Sequence, residues 1–147
     1  MAGIVSYGAY IPRMRLPLSV IAGKAPKDGG PEKAVAWMDE DSVTMAVAAA
    51  QNCLQGFDRT RVDAVLFATT TYSFAEKQGA AIIAKALNLK GDVRTADISH
   101  STRAGTIALQ SAIDAVKAGS AQRVLVIAAD CRMGAPGSGF ENNTDSE

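Results

Sequence analysis

Residues 94–119 read RTADISHSTRAGTIALQSAIDAVKAG, and the fold turns on how this stretch is parsed. Its first six residues (RTADIS) have strand length and lead into a polar turn at His100, Ser101 and Thr102. Beyond the turn, Ala104, Ile107, Ala108, Leu109, Ala112, Ile113 and Val116 recur at the spacing of a 3.6-residue helix, and Gly119 supplies a stop. The parse is strand, tight turn, then a helix over 102–118. That helix is small or apolar nearly all round, which predicts burial on every side.

The flanks repeat the unit. Upstream, residues 62–69 (VDAVLFAT) form a continuous apolar run of strand length, as expected of a strand covered on both faces. Residues 76–89 then show helical spacing through Ile82, Ile83, Ala86 and Leu87. Downstream, residues 123–130 (RVLVIAAD) read as another strand. Earlier in the chain, Asp39, Glu40 and Asp41 precede Ser42, placing negative charge where a helix N-terminus favours it. Val43, Ala46, Val47, Ala50, Cys53 and Leu54 continue that helix to about Gln55, with Gly56 as its stop. Residues 3–12 (GIVSYGAYIP) predict a first strand closed by Pro12, and residues 22–36, with Pro26, Gly29, Gly30, Pro31 and three lysines, a surface loop. The order β-α-β-α-β-α-β predicts an α/β fold, with helices on both faces of a largely parallel sheet joined by right-handed crossovers.

Composition bounds the function. The 147 residues suit one domain, and 15 basic against 15 acidic side chains leave no net field to attract nucleic acid or an anionic membrane. No apolar run approaches the ~20 residues that cross a bilayer. The opening residues lack the basic and apolar blocks of a signal peptide. Cys53 and Cys131 have neither metal nor disulfide spacing. A reduced, cytoplasmic protein is expected.

Chemistry concentrates at the turn before the 102–118 helix. A group there meets unpaired N–H donors and the positive end of the helix dipole, which favour an anion and activate a nucleophile. Ser101 and Thr102 stand at that place, read either as N-caps or as reacting hydroxyls. His100 is the sole histidine; adjacency to Ser101 does not make a Ser–His–acid array, so it reads as a surface or interface residue. Cys131 follows a strand's carboxyl end, where open α/β sheets bind ligands. Glu76 and Arg103 are further ligand candidates or solvated charges, and Cys53 reads as a small core residue. The glycines from Gly134 to Gly139 lack the lysine and helix of a phosphate loop.

Four blocks carry a family resemblance: GIVSYGAYIPR (3–13), DEDSVTMAV (39–47), RAGTIALQSAIDAVKAG (103–119) and RVLVIAAD (123–130). In this order they resemble the hydroxymethylglutaryl-CoA synthase branch of the thiolase superfamily, with ketoacyl synthase III as a more distant relative. The resemblance implies two similar halves, each a mixed five-stranded sheet, stacked as a five-layer sandwich, and dimers with the third strand at the seam. It implies acyl transfer from coenzyme A thioesters to a cysteine, followed by Claisen condensation.

Against that pattern the chain departs twice. The resemblance places the nucleophile in acidic-x-x-x-x-Cys-Lys-Ala-Gly-Thr; here Asp97 opens the block, Arg103, Ala104, Gly105 and Thr106 close it, and Thr102 occupies the cysteine position. A glutamate serving as general acid/base follows the second strand in such synthases, and Thr70 stands in its place. A hydroxyl without a base is a far poorer acyl acceptor than a dipole-activated thiolate. The resemblance also implies a Gly-Asp-Gly-Ala-Ala-Ala-type fifth strand and a second half bearing the catalytic histidine, both beyond Glu147. The expectation is an amino-terminal thiolase-like portion, non-catalytic or atypical, completed by another chain. A zinc-ribbon/OB-fold partner and a thiolase-type dimer are implied with it. The alternative is an acyltransferase working through Ser101, Thr102 or Cys131.

Overall fold

A computed structural model describes residues 2–135 and 138. It divides into two compact units, one comprising residues 2–10 and 40–130, the other residues 11–39, 131–135 and 138.

The smaller unit contains β1 (Met14–Pro17), the one-turn helix α1 (Leu18–Ile21) and β2 (Glu32–Val35). β1 and β2 pair antiparallel, Met14 opposite Val35 and Pro17 opposite Glu32. The loop expected over 22–36 therefore ends early, because residues 32–35 find a ladder partner that their Gly/Pro-rich flank did not advertise.

The larger unit contains α2 (Ser42–Cys53), a 3-10 turn (Arg59–Arg61), β3 (Ala64–Thr69), α3 (Gly79–Ala86), β4 (Arg94–Ser99), α4 (Ala104–Lys117) and β5 (Val124–Ala128). The three strands are parallel in the order β4-β3-β5. The chain thus steps from β3 to β4 and then back past β3 to β5. Right-handed crossovers in opposite directions put their helices on opposite faces. Accordingly, Val65, Phe67, Leu125 and Ile127 join α2 and α3 in the main core, with Val43, Ala46, Ala50, Ala80, Ile83 and Ala84. Leu66, Ile98 and Val126 pack on the other face, beneath Ala104 and Ala108 of α4.

Local chemistry explains the element ends. The Asp41 carboxylate accepts the Thr44 N–H at 2.7 Å while the Thr44 hydroxyl takes the Asp41 N–H at 2.7 Å, a reciprocal cap that starts α2. Gly56, with φ of +75°, provides the left-handed turn beyond it. The helix expected over 76–89 is shorter, because its first free N–H groups, at Gly79 and Ala80, are taken by Asp97. Cys53 is half-buried against the main core.

Two expectations are corrected. Residues 3–12 pair with no strand among the described residues; a β-forming run becomes a strand only when a neighbour takes its backbone groups. Within the larger unit this segment leans on α2 instead: Ser6 donates to the Cys53 carbonyl at 2.7 Å, and Asn52 to the Ala9 carbonyl at 2.8 Å. The other correction concerns α4. It buries Ala104, Ala108 and Ala112 but leaves Ile107 and Leu109, two residues apart and so on opposite flanks of that stripe, at 47% and 42% exposure. Among the described residues, no helix is long and apolar enough to cross a membrane. Of the Gly134–Gly139 stretch, residues 136, 137 and 139 lie outside the described residues.

Candidate functional site

Parallel strands discharge their chain at one edge of the sheet, so groups distant in sequence meet at the carboxyl ends. Here Thr69, the last residue of β3, is opposite Ser99, the last of β4, and Ala68 is opposite Ala128 of β5. Three exits therefore lie side by side: Thr70 and Thr71 after β3, residues 100–103 after β4, and Asp130 two residues after β5.

The exit of β4 is a compressed turn. His100 is exposed and adopts φ of +66°, a left-handed conformation uncommon for a residue with a Cβ. Its Nδ1 lies 2.6 Å from the Ser99 hydroxyl. The Ser101 hydroxyl accepts the Arg103 N–H at 3.2 Å, and its carbonyl accepts that of Ala104 at 3.0 Å. Ser101 therefore does the work of a cap one turn early. Thr102 is not a helix residue: α4 begins at Ala104 with Arg103 as N-cap, and Thr102 and Arg103 lie exposed in the turn.

The exit of β3 is organised by Asp130. One oxygen, Oδ1, accepts the N–H groups of Thr70 at 2.6 Å and Thr71 at 3.1 Å, and the hydroxyls of Thr69 at 2.9 Å and Thr71 at 3.1 Å. Partial burial alone would push this carboxyl up, but the hydrogen bonds from Thr70, Thr69 and Thr71 outweigh it and hold it below the usual range. Behind the turn, the fully buried Ser42 hydroxyl donates to the Thr71 carbonyl at 2.9 Å.

Asp97 caps the helix that precedes its strand. Its carboxylate receives Gly79 N–H at 2.8 Å and Ala80 N–H at 2.7 Å, and the Tyr72 hydroxyl, so it starts α3. Burial and the neighbouring Asp97 raise the Tyr72 phenol above its ordinary value. At the amino end of the sheet Asp63 accepts Gln122 N–H at 2.7 Å and Arg123 N–H at 2.9 Å; those bonds hold its carboxyl low, although burial opposes them.

Of the residues expected from sequence, Ser101, Thr102, Arg103 and His100 share the β4 exit and Thr70 stands beside it. Glu76 is exposed in the loop before α3, and Cys131 is half-buried in the smaller unit. Asp130 was not singled out. The signal for it was a carboxylate ending an apolar strand run, a place where unbonded charge is costly.

The chain is 38% identical over 151 residues to the hydroxymethylglutaryl-CoA synthase of Methanocaldococcus jannaschii, covering 96% of this chain and 44% of that protein. The chain is homologous to the hydroxymethylglutaryl-CoA synthases and has a thiolase-like fold. Among solved structures, a hydroxymethylglutaryl-CoA synthase complexed with CoA superposes with a TM-score of 0.83 at 26% identity, over 95% of this chain and 38% of that one. The β-ketoacyl-[acyl carrier protein] synthase III of Thermus thermophilus superposes with a TM-score of 0.72 at 26% identity, over 84% of this chain and 41% of that one. No family model matches. The chain thus spans about two-fifths of the length of the relatives it matches.

Proposed function

We propose that this thiolase-like chain supplies scaffold and an acyl-CoA-binding surface without forming the acyl–enzyme bond itself. The observation that carries the reading is the β4 exit: the turn before α4 presents Ser101 and Thr102, while Cys53 lies on α2. A thioester carbonyl placed there meets hydroxyls rather than a thiolate, and a hydroxyl needs a base to attack. A solved relative complexed with CoA supports a coenzyme A thioester as the ligand.

The same reading makes this sequence one part of a larger assembly, since its relatives are more than twice as long. Ile107 and Leu109 are half-exposed apolar positions on the two flanks of the buried Ala104–Ala108–Ala112 stripe of α4, and the remaining thiolase-like half is the chain proposed to cover them. A thiolase-type dimer and a zinc-ribbon/OB-fold companion belong to the proposal through the family likeness.

One observation favours a second reading. The Ser99 hydroxyl and His100 Nδ1 at 2.6 Å pair a hydroxyl with a base in a left-handed turn, an arrangement open to an acyltransferase that uses serine. Incubating the full-length protein with acetyl-CoA separates the two. The first reading expects heat of binding by calorimetry and no acetyl group, by mass spectrometry, on the peptide spanning residues 94–117. An acetyl group on Ser99, Ser101 or Thr102 establishes the second. No heat and no adduct at millimolar ligand overturns both.

A further inference from the structure

β3 leaves the sheet through Thr69, Thr70 and Thr71, a sequence with no glycine or proline to set a turn. β-branched residues prefer extended backbone, so this conformation is imposed from outside. Two distant elements impose it. Asp130, about sixty residues on, gathers two N–H groups and two hydroxyls of the turn onto a single oxygen. Ser42, at the start of α2, holds the Thr71 carbonyl from the other side. Thr69 tightens the turn further by accepting the Thr71 N–H at 3.1 Å.

At the opposite end of the sheet Asp63 spreads its bonds over both oxygens and distant partners, Oδ2 receiving the N–H groups of Gln122 and Arg123 and Oδ1 pairing with Lys90 at 3.3 Å. Asp130 instead fixes every residue of a turn whose middle member, Thr70, stands one step beyond the Thr69–Ser99 pair and beside the turn that carries Thr102. We propose that Asp130 is a positioning residue of the candidate site: it holds the backbone at 69–71 so that the side chain at position 70 is carried next to that at position 102. The proposal deepens the acyl-thioester reading above, since it concerns the same site, but its test does not depend on catalysis.

The test measures proximity directly. In the full-length protein, Cys53→Ala and Cys131→Ser remove the native thiols, and Thr70→Cys with Thr102→Cys introduces two at the site. Dibromobimane bridges two neighbouring thiols and fluoresces only when both have reacted. Rapid cross-linking is expected with Asp130 present, and a loss of about tenfold in rate with Asp130→Asn. Asp63→Asn, which weakens the far end of the sheet, should leave the rate unchanged. In protein with 15N-labelled threonine and no added thiols, Asp130→Asn should move the Thr70 and Thr71 amide signals and few others. Asp130→Glu keeps the charge but displaces the acceptor; it should move the same two signals and reports in place of Asp130→Asn if that variant does not fold. Cross-linking that is equally fast with Asp130→Asn, or equally slowed by Asp63→Asn, overturns the proposal, as do unmoved threonine amides. Failure of acetyl-CoA to bind would sink the acyl-thioester reading alone, because the cross-linking rates answer separately.

Discussion

The Asp97 carboxylate on β4 accepts the Gly79 N–H at 2.8 Å, so a residue in the middle of one strand starts the helix that precedes it in the chain. The contact requires a glycine. A Cβ at Gly79 would stand 2.9 Å from the Phe67 ring, and Phe67 is fully buried. Removing the carboxylate leaves the Ala80 N–H without its acceptor and the Gly79 N–H with only the Tyr72 hydroxyl, a loss of about 1–3 kcal/mol for a buried group. Asp97→Ala is therefore expected to lower the denaturation midpoint and to release the first turn of α3 in hydrogen exchange, with the end of α2 unaffected. Unchanged protection at Gly79 and Ala80 would refute this.

Acid should weaken the larger unit in a defined window. Asp63 and Asp130 both have carboxyl pKa values held below the unfolded value by hydrogen bonds. A depressed folded value means stability that is fully present above the unfolded pKa of about 4 and is lost as pH falls through the folded one. Unfolding free energy should thus be flat from pH 7 to 5 and decline below about pH 4. Asp63→Asn and Asp130→Asn should each reduce the steepness of that decline, measured by denaturant titration across pH.

Residue 8 lies too near α2 to carry a side chain. A Cβ there would meet the Cys53 nitrogen at 2.4 Å and the Ala49 carbonyl oxygen at 2.6 Å, both backbone atoms that cannot swing aside. Gly8→Ala should lift the amino-terminal segment from α2 and break the Ser6 and Asn52 bonds. Faster proteolysis within residues 2–10, with β3, β4 and β5 still protected, is the expected result; equal cleavage rates would contradict it.

The flanks of α4 offer a contrast between stability and association. Ile107 and Leu109 are close to half exposed, so Ile107→Asp with Leu109→Gln costs little within the larger unit, within about 0.5 kcal/mol each if they stay solvated. If the remaining thiolase-like half covers these flanks, the double variant should abolish co-purification of the two parts while leaving far-UV circular dichroism unchanged. Retained association would assign the partner surface elsewhere.

Much of the architecture was legible because helix and strand periods are local. The spacing of Val43, Ala46 and Ala50, and the unbroken run at 64–69, state which side of each element is apolar. Their alternation then leaves parallel pairing with helices on both faces as the compact solution. The residue types at the β4 exit were equally plain, and Thr102 could be set in the nucleophile position by likeness alone. Pairing and capping are not local, and there the three-dimensional fold decided. Residues 3–12 carry a strand's composition but no described strand reaches their backbone, whereas 32–35, beside a loop-like flank, find β1. Asp97 and Asp130 look alike in sequence, each an acid within a run of strand character. One became the cap of α3 and the other the clamp on 69–71, because a carboxylate takes its role from whichever N–H groups the crossovers bring to it, 17 residues away for Ala80 and 60 for Thr70.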